Sequence, residues 1–237
     1  MKSFCILLAT LIVWFAVAEK GKAQILYSNS GNNTTGFVTQ YGNLSFSSNG
    51  TDLIGSPGGG YVNLPVTVNG DFQMSFDVYG NSYDVDSDIL FLSHGTAAGV
   101  QIRNCPQGTD TPSLYLESGT HFADYEGFYW DNTVLAQAAS TNFPLQTWTS
   151  ITITKIGNTL TDDVGGQILT TDLTALDLSS SLDIGLGYYA TTYEGGVGQI
   201  EYRNIVIAAV PEPSTYLLVA VGISILGVLR SLRTRQH

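Results

Sequence analysis

The chain has 237 residues, with 9 basic and 20 acidic side chains and a formal net charge of −11. Only 12% of its residues are charged, while 43% are hydrophobic and 26 are glycine. That composition excludes a long coiled coil and an acidic disordered chain. It also speaks against nucleic-acid binding, because phosphates need a basic surface that this chain lacks.

Residues 1–23 read as a secretory signal. Lys2 supplies the positive start, residues 4–18 form a 15-residue run without a charge, and Ala16-Val17-Ala18 is an A-x-A cleavage site. Gly21-Lys22-Ala23 is a second one. The alternative is an uncleaved anchor helix, for which the run is short. Cys5 leaves with the signal, so Cys105 remains as the lone thiol and no intrachain disulfide can form. Once both ends are set aside, residues 24–210 hold three cations (Arg103, Lys155 and Arg203) against 18 acids, a net charge of −15. Such a surface repels anionic polymers and attracts divalent cations.

Residues 24–209 are expected to form one all-β domain. No helical period appears, and short apolar or alternating runs are bounded by Gly, Asn, Ser and Asp. The cleanest run is 71–78, with Phe72, Met74, Phe76 and Val78 on one face and Gln73, Ser75 and Asp77 on the other. Ile89-Leu90-Phe91-Leu92 is apolar on both faces, as in a covered central strand. Further strands are expected near 36–41, 43–47, 60–66, 98–103, 112–117, 148–156, 166–170, 182–189 and 198–208. In the last, Ile200 and Tyr202 share one parity while Ile205 and Ile207 share the other, which predicts a bulge near Arg203-Asn204. Asn158 and the run Asp162-Asp163-Val164-Gly165-Gly166 read as turns. Residues 55–60 read as a glycine-rich loop, with no following helix to cradle a phosphate.

Three segments together resemble the concanavalin A-like, laminin-G-like sandwich. They are residues 71–77 with the strand at 89–91, residues 148–153 leading into Gly157-Asn158-Thr159-Leu160, and Ile184-Gly185-Leu186-Gly187 followed by a return strand at 198–207. The resemblance implies an antiparallel jelly-roll β-sandwich. That fold hosts lectins, glucanases and adhesion modules, so it does not fix the function.

Three groups of side chains invite a chemical reading. Asp84, Asp86 and Asp88 place hard oxygen ligands at alternate positions and form a candidate Ca²⁺ site, although Ile89 and Ala97 stand where an EF-hand would need Gly and Glu. The competing reading is a solvated acidic loop. Phe122, Tyr125, Phe128, Tyr129 and Trp130 lie among Asp124, Glu126 and Asp131. Aromatic faces beside carboxylates suit glycan contact; the plainer alternative is a loop packed by its own side chains. Laminarinase-like members of the fold carry a Glu-x-Asp-x-x-Glu strand, and no such run exists here, so the chain is expected not to be an enzyme. His94 and His121 show no zinc-ligand spacing.

The C-terminus supplies the most specific signal. Val210-Pro211-Glu212-Pro213-Ser214-Thr215 precedes 14 uncharged residues, 216–229, and then a basic end, 230–237, with Arg230, Arg233 and Arg235. The apolar run has no helical stripe. At about 1.5 Å per residue it covers about 21 Å, and its arginine flank suits a cytoplasmic stop that snorkels to the interface. These three parts, in order across residues 210–237, resemble the PEP-CTERM sorting signal of bacterial exported proteins. The resemblance implies recognition by a membrane-embedded exosortase and cutting near Pro211-Glu212-Pro213. It also implies transient membrane insertion of a helix over 216–229 and a setting of exopolysaccharide and biofilm production. The sequence thus predicts an exported, non-catalytic surface or matrix protein, anchored in the inner membrane until processed and then carried to the cell surface or beyond, with polysaccharide as its partner. The rival expectation is a secreted enzyme acting on polysaccharide from the same fold.

Overall fold

The alternation of apolar and polar residues becomes a set of antiparallel strands. The computed structural model describes residues 23–42, 44–55, 60–82, 85–94, 99–104, 113–117, 133–137, 143–174, 181–190 and 198–210. Among them are fifteen strands and no helix. In chain order they are β1 (Gln24–Asn29), β2 (Val38–Gly42), β3 (Phe46–Ser48), β4 (Leu53–Gly55), β5 (Gly60–Val68), β6 (Phe72–Gly80), β7 (Val85–Ser93) and β8 (Gly99–Asn104). There follow β9 (Ser113–Glu117), β10 (Thr133–Gln137), β11 (Thr149–Ile156), β12 (Thr159–Val164), β13 (Gln167–Asp172), β14 (Leu182–Ala190) and β15 (Ile200–Ala209). Residues Ile25–Ala209 make one compact unit. The expected signal at 1–23, apart from Ala23, and the tail beyond Val210 lie outside the described residues.

The strands form two sheets. Sheet A runs β13-β12-β11-β6-β15-β4-β3, with β1 also paired to β15; sheet B runs β10-β9-β8-β7-β14-β5-β2. Each sheet buries its period-2 apolar set against the other. From sheet A come Phe72, Met74, Phe76, Ile151, Ile153, Ile205 and Ile207; from sheet B come Val62, Leu64, Ile89, Phe91, Val100, Ile102, Ile184 and Leu186. Phe72 and Phe91 meet across the layers with ring centroids 5.1 Å apart. Tyr202 is wholly buried on β15, and its hydroxyl donates to the Gly187 carbonyl at 2.8 Å while lying 2.9 Å from Ser87 Oγ. One aromatic side chain thereby fastens sheet A to two strands of sheet B.

Several boundaries depart from expectation. The segment Asp162-Asp163-Val164 is strand, and only Gly165-Gly166 turns, with φ of 56° and 90°. Val164 and Gln167 face each other across that two-residue loop, whose positive φ values suit glycine and match the twist of a hairpin. Strands β1, β4, β10 and β12 were not expected; three are short or polar, and β12 is interrupted by acids. The bulge predicted at Arg203-Asn204 is present: the register shifts between Arg203 and Val206, and Asn204 has φ of 53°.

One carboxyl breaks the apolar interior. Asp162 points inward from β12, fully buried between Leu160 and Val164, beside Ile153 and Leu169 on the neighbouring strands. Asn104, fully buried at the end of β8, is its polar neighbour from the other sheet. Asn104 favours the charged form, yet no oxygen of Asp162 reaches a bonding partner at normal geometry among the described residues. Burial pushes the Asp162 carboxyl up to about 7; Asn104 opposes that rise and the nearby Asp163 charge adds to it.

Candidate functional site on the outer face of sheet B

Side-chain parity defines a second surface on sheet B. Ile89 and Phe91, Val100 and Ile102, and Ile184 and Leu186 enter the core. Their alternates therefore lie on the opposite face: Asp88, Leu90 and Leu92 on β7, Gln101 and Arg103 on β8, and Asp183, Gly185 and Gly187 on β14. The register puts Asp88 opposite Arg103 on one side and Gly187 on the other. Gly185 forms the floor between Tyr61 and Leu90, and a Cβ there would stand 3.0 Å from Tyr61 Cδ2 and 3.1 Å from Leu90 Cβ.

This face is graded. At one end Asp88 Oδ1 lies 3.7 Å from Arg103 Nε, with side-chain exposures of 1% and 7%. Burial pushes the Asp88 carboxyl up, while the Arg103 charge and Gln101 pull it down; burial prevails. The middle, Leu90, Leu92 and Gln101, is also buried. At the other end Asp183 accepts from His94 Nδ1 at 2.8 and 2.9 Å and from Thr67 Oγ1 at 3.1 Å. His94 is 64% exposed there. From Asp88 to His94 the strand covers about 20 Å. Of these groups, those that solvent reaches, the Asp183 carboxylate, the Thr67 hydroxyl and the His94 imidazole, can exchange hydrogen bonds with a polyhydroxylated ligand.

The sequence-predicted residues fall as follows. Asp86 and Asp88 lie within β7, where a solvated loop had been an expectation. The correction has a plain cause: Arg103, directly across the ladder, gives Asp88 a charge partner, so the acid can be buried in a strand. Asp86 shares the Asp88 parity. Its side chain, and Asp84 altogether, lie outside the described residues. No cluster of three metal-ligating acids, histidines or cysteines occurs among the described residues. Phe122, Tyr125, Phe128, Tyr129 and Trp130 also lie outside them, as do Pro211, Glu212, Pro213, Arg230, Arg233 and Arg235. Sequence reading missed Arg103, Gln101 and Asp183. Their signal was parity: each alternates with a core residue on a strand that had been expected.

Comparison with known proteins bears on both ends of this picture. Residues 209–235 match the PEP-CTERM protein-sorting motif. No curated protein matches the chain by sequence. In structure, it is similar to the Emp47p carbohydrate recognition domain at 15% identity and TM-score 0.58, over 79% of this chain and 97% of that one. It is similar to a protein of galectin-like fold from Bacillus subtilis at 11% identity and TM-score 0.59, over 78% and 96%. It is also similar to the Bacillus subtilis carbohydrate-binding module CBM66 at 13% identity and TM-score 0.55, over 75% and 98%. The chain is therefore a β-sandwich of the galectin-like and concanavalin-like kind that carries a PEP-CTERM protein-sorting motif at residues 209–235.

Proposed function

We propose that this chain is an exported surface or matrix protein, sorted through its PEP-CTERM tail, whose sandwich binds glycan without cleaving it. The observation that carries the reading is the sorting motif that begins where the last described strand ends, on a fold shared with a carbohydrate recognition domain and a carbohydrate-binding module over nearly the whole length of each. The solvent-reached end of the outer face of sheet B supports it, because His94, Asp183 and Thr67 set an imidazole, a carboxylate and a hydroxyl side by side for sugar hydroxyls.

In this reading the apolar run 216–229 holds the newly exported chain in the inner membrane, with Arg230, Arg233 and Arg235 on the cytoplasmic side. The segment Pro211-Glu212-Pro213 stays extended, since proline cannot continue a helix, and an exosortase-type enzyme cuts there. The released domain associates with extracellular polysaccharide, the setting being exopolysaccharide and biofilm.

The processed protein, applied to a glycan array with and without Ca²⁺, tests the binding. Retention of at least one glycan family is expected, with no release of reducing ends. Failure to bind any glycan refutes the reading, and glycan cleavage would favour the enzymatic rival. Binding that disappears on chelation would bring Asp84, Asp86 and Asp88 back as ligands. The mass of the mature protein tests the sorting: the reading requires loss of residues 230–237, and their presence in a strain holding the processing enzyme refutes it.

A further inference from the structure

The three cations of residues 24–210 are not equivalent. Arg103 and Lys155 are 6% and 7% exposed, whereas the Arg203 side chain is 36% exposed, on the outer face of sheet A. That position is built with care. The Arg203 guanidinium lies over the Trp148 ring, 3.9 Å from its centroid, and Tyr79 packs against the same indole at 5.5 Å. Arg203 Nε is 3.5 Å from Asp77 Oδ2. Asp77 is itself held by Ser150 Oγ, which donates to Oδ1 at 2.6 Å, and by Asn204 Nδ2, which donates to Oδ2 at 2.8 Å.

The backbone is shaped around this cluster. Gln146 and Asn204 are the two non-glycine residues of the described chain with left-handed φ, at 54° and 53°. Asn204 is the bulge that follows Arg203. Gln146 stands two residues before Trp148, its N–H bound to the Gly80 carbonyl at the end of β6. Such conformations persist only when their surroundings enforce them, and they gather at functional sites. Here both flank one solvent-facing group.

We propose that Arg203, Trp148, Tyr79 and Asp77 form a second glycan contact, on the sheet opposite to the candidate site above, which takes a vicinal diol of a neutral sugar. The proposal rests on the reading that the sandwich binds glycan and adds where, and what kind. A guanidinium edge donates and a carboxylate accepts, side by side, so neighbouring hydroxyls can satisfy both. Asp77 has about four acceptor positions; hydrogen bonds from Ser150 and Asn204 occupy two, and Arg203 Nε, 3.5 Å away, adds its charge. Burial raises the Asp77 carboxyl, but its bonds from Ser150 and Asn204 and the Arg203 charge outweigh that and hold it below the usual carboxylate range, so it accepts at neutral pH. The half-buried rings of Trp148 and Tyr79 supply apolar contact for a sugar ring. Asp77 offsets the Arg203 charge, and a domain of net charge −15 repels an anionic polymer. Neutral glycan is therefore the occupant. Because the side chains are already fixed, little ordering is lost on binding.

The test uses the processed protein and the variants Trp148→Phe and Arg203→Lys, which keep an aromatic ring and a positive charge in turn. Affinity for the best array glycan is expected to fall at least tenfold in each, with the urea midpoint unchanged. In the parent, the Trp148 indole N–H resonance, assigned by its loss in Trp148→Phe, is expected to shift when neutral oligosaccharide is added. Full affinity in both variants with an unmoved resonance overturns this proposal and leaves the glycan reading standing. Preference for a hexuronan over neutral glycans overturns the neutral-diol assignment. No binding by the parent refutes both readings together. If a variant fails to fold, the resonance shift in the parent decides.

Discussion

Replacing Asp162 by asparagine should remove a pH dependence from the stability of the sandwich. The folded chain holds the Asp162 proton up to about 7, whereas an ordinary aspartate releases it near 3.8. Between those values the native state binds more protons than the unfolded state, so stability falls as pH rises through that window. Above about 7 and below about 4 this carboxyl adds no further slope. At about 1.4 kcal/mol per pH unit, the interval amounts to about 4 kcal/mol, a ceiling if water reaches the site on deprotonation. Asp162→Asn is neutral throughout, so its advantage over the parent should be near zero at pH 4 and should grow to a few kcal/mol at pH 8. For a domain of this size that is a gain of about 10 °C in melting temperature. Urea unfolding of the processed parent and variant, followed by tryptophan fluorescence from pH 4 to 8.5, measures the difference. Other carboxyls add a background term: Asp77, held low, contributes stability that is lost on acidification, while Asp88 and Glu201, raised by burial, act with the same sign as Asp162. Both proteins share that term, and subtraction removes it. Parallel curves for the two proteins would refute the argument, since they would mean that Asp162 is ionised in the fold at neutral pH.

Two further substitutions probe buried polar groups, one on the outer face of sheet B and one between the sheets. Asp88→Ala deletes the carboxylate beside the buried Arg103 guanidinium and should cost about 3–5 kcal/mol in urea unfolding; a loss under 1 kcal/mol would mean that the pair is wetter than its burial indicates. Tyr202→Phe leaves the Gly187 carbonyl and Ser87 hydroxyl without their shared partner and should cost about 1–3 kcal/mol, with no change in glycan affinity, as measured by thermal unfolding and array binding.

What the sequence made legible follows the physics of each segment. Strand β6 was plain because one face is wholly apolar and the other wholly polar, as its buried and half-buried alternation confirms. The bulge in β15 was legible from a change of phase alone. Strand β12 was not, because two adjacent aspartates usually mark a turn, and nothing local reveals that Asp162 turns into the core beside Asn104 of a distant strand. Asp88 failed for the same reason: its partner Arg103 is fifteen positions away and becomes adjacent only through the ladder. The Arg203 cluster needed three strands in register before its parts met; the sequence offered only the scarcity of cations and the bulge beside one of them.

The place of β15 in sheet A sets the order of events during synthesis. It is the last of the described strands yet sits inside the sheet, between β6 and β4, with β1 also resting on it. Before Ala209 has emerged, sheet A can exist only as separate halves, β13-β12-β11-β6 and β4-β3, and β1 has no partner. A chain made from its N-terminus therefore waits for its final ten strand residues before the sandwich can close, and such long-range pairing is slow. The sorting motif begins at residue 209, where that strand ends. Completion of the fold and arrival of the tail thus fall at nearly the same moment. A truncation ahead of residue 200 would lose both: an open pair of sheet fragments, with bare strand edges, and no address.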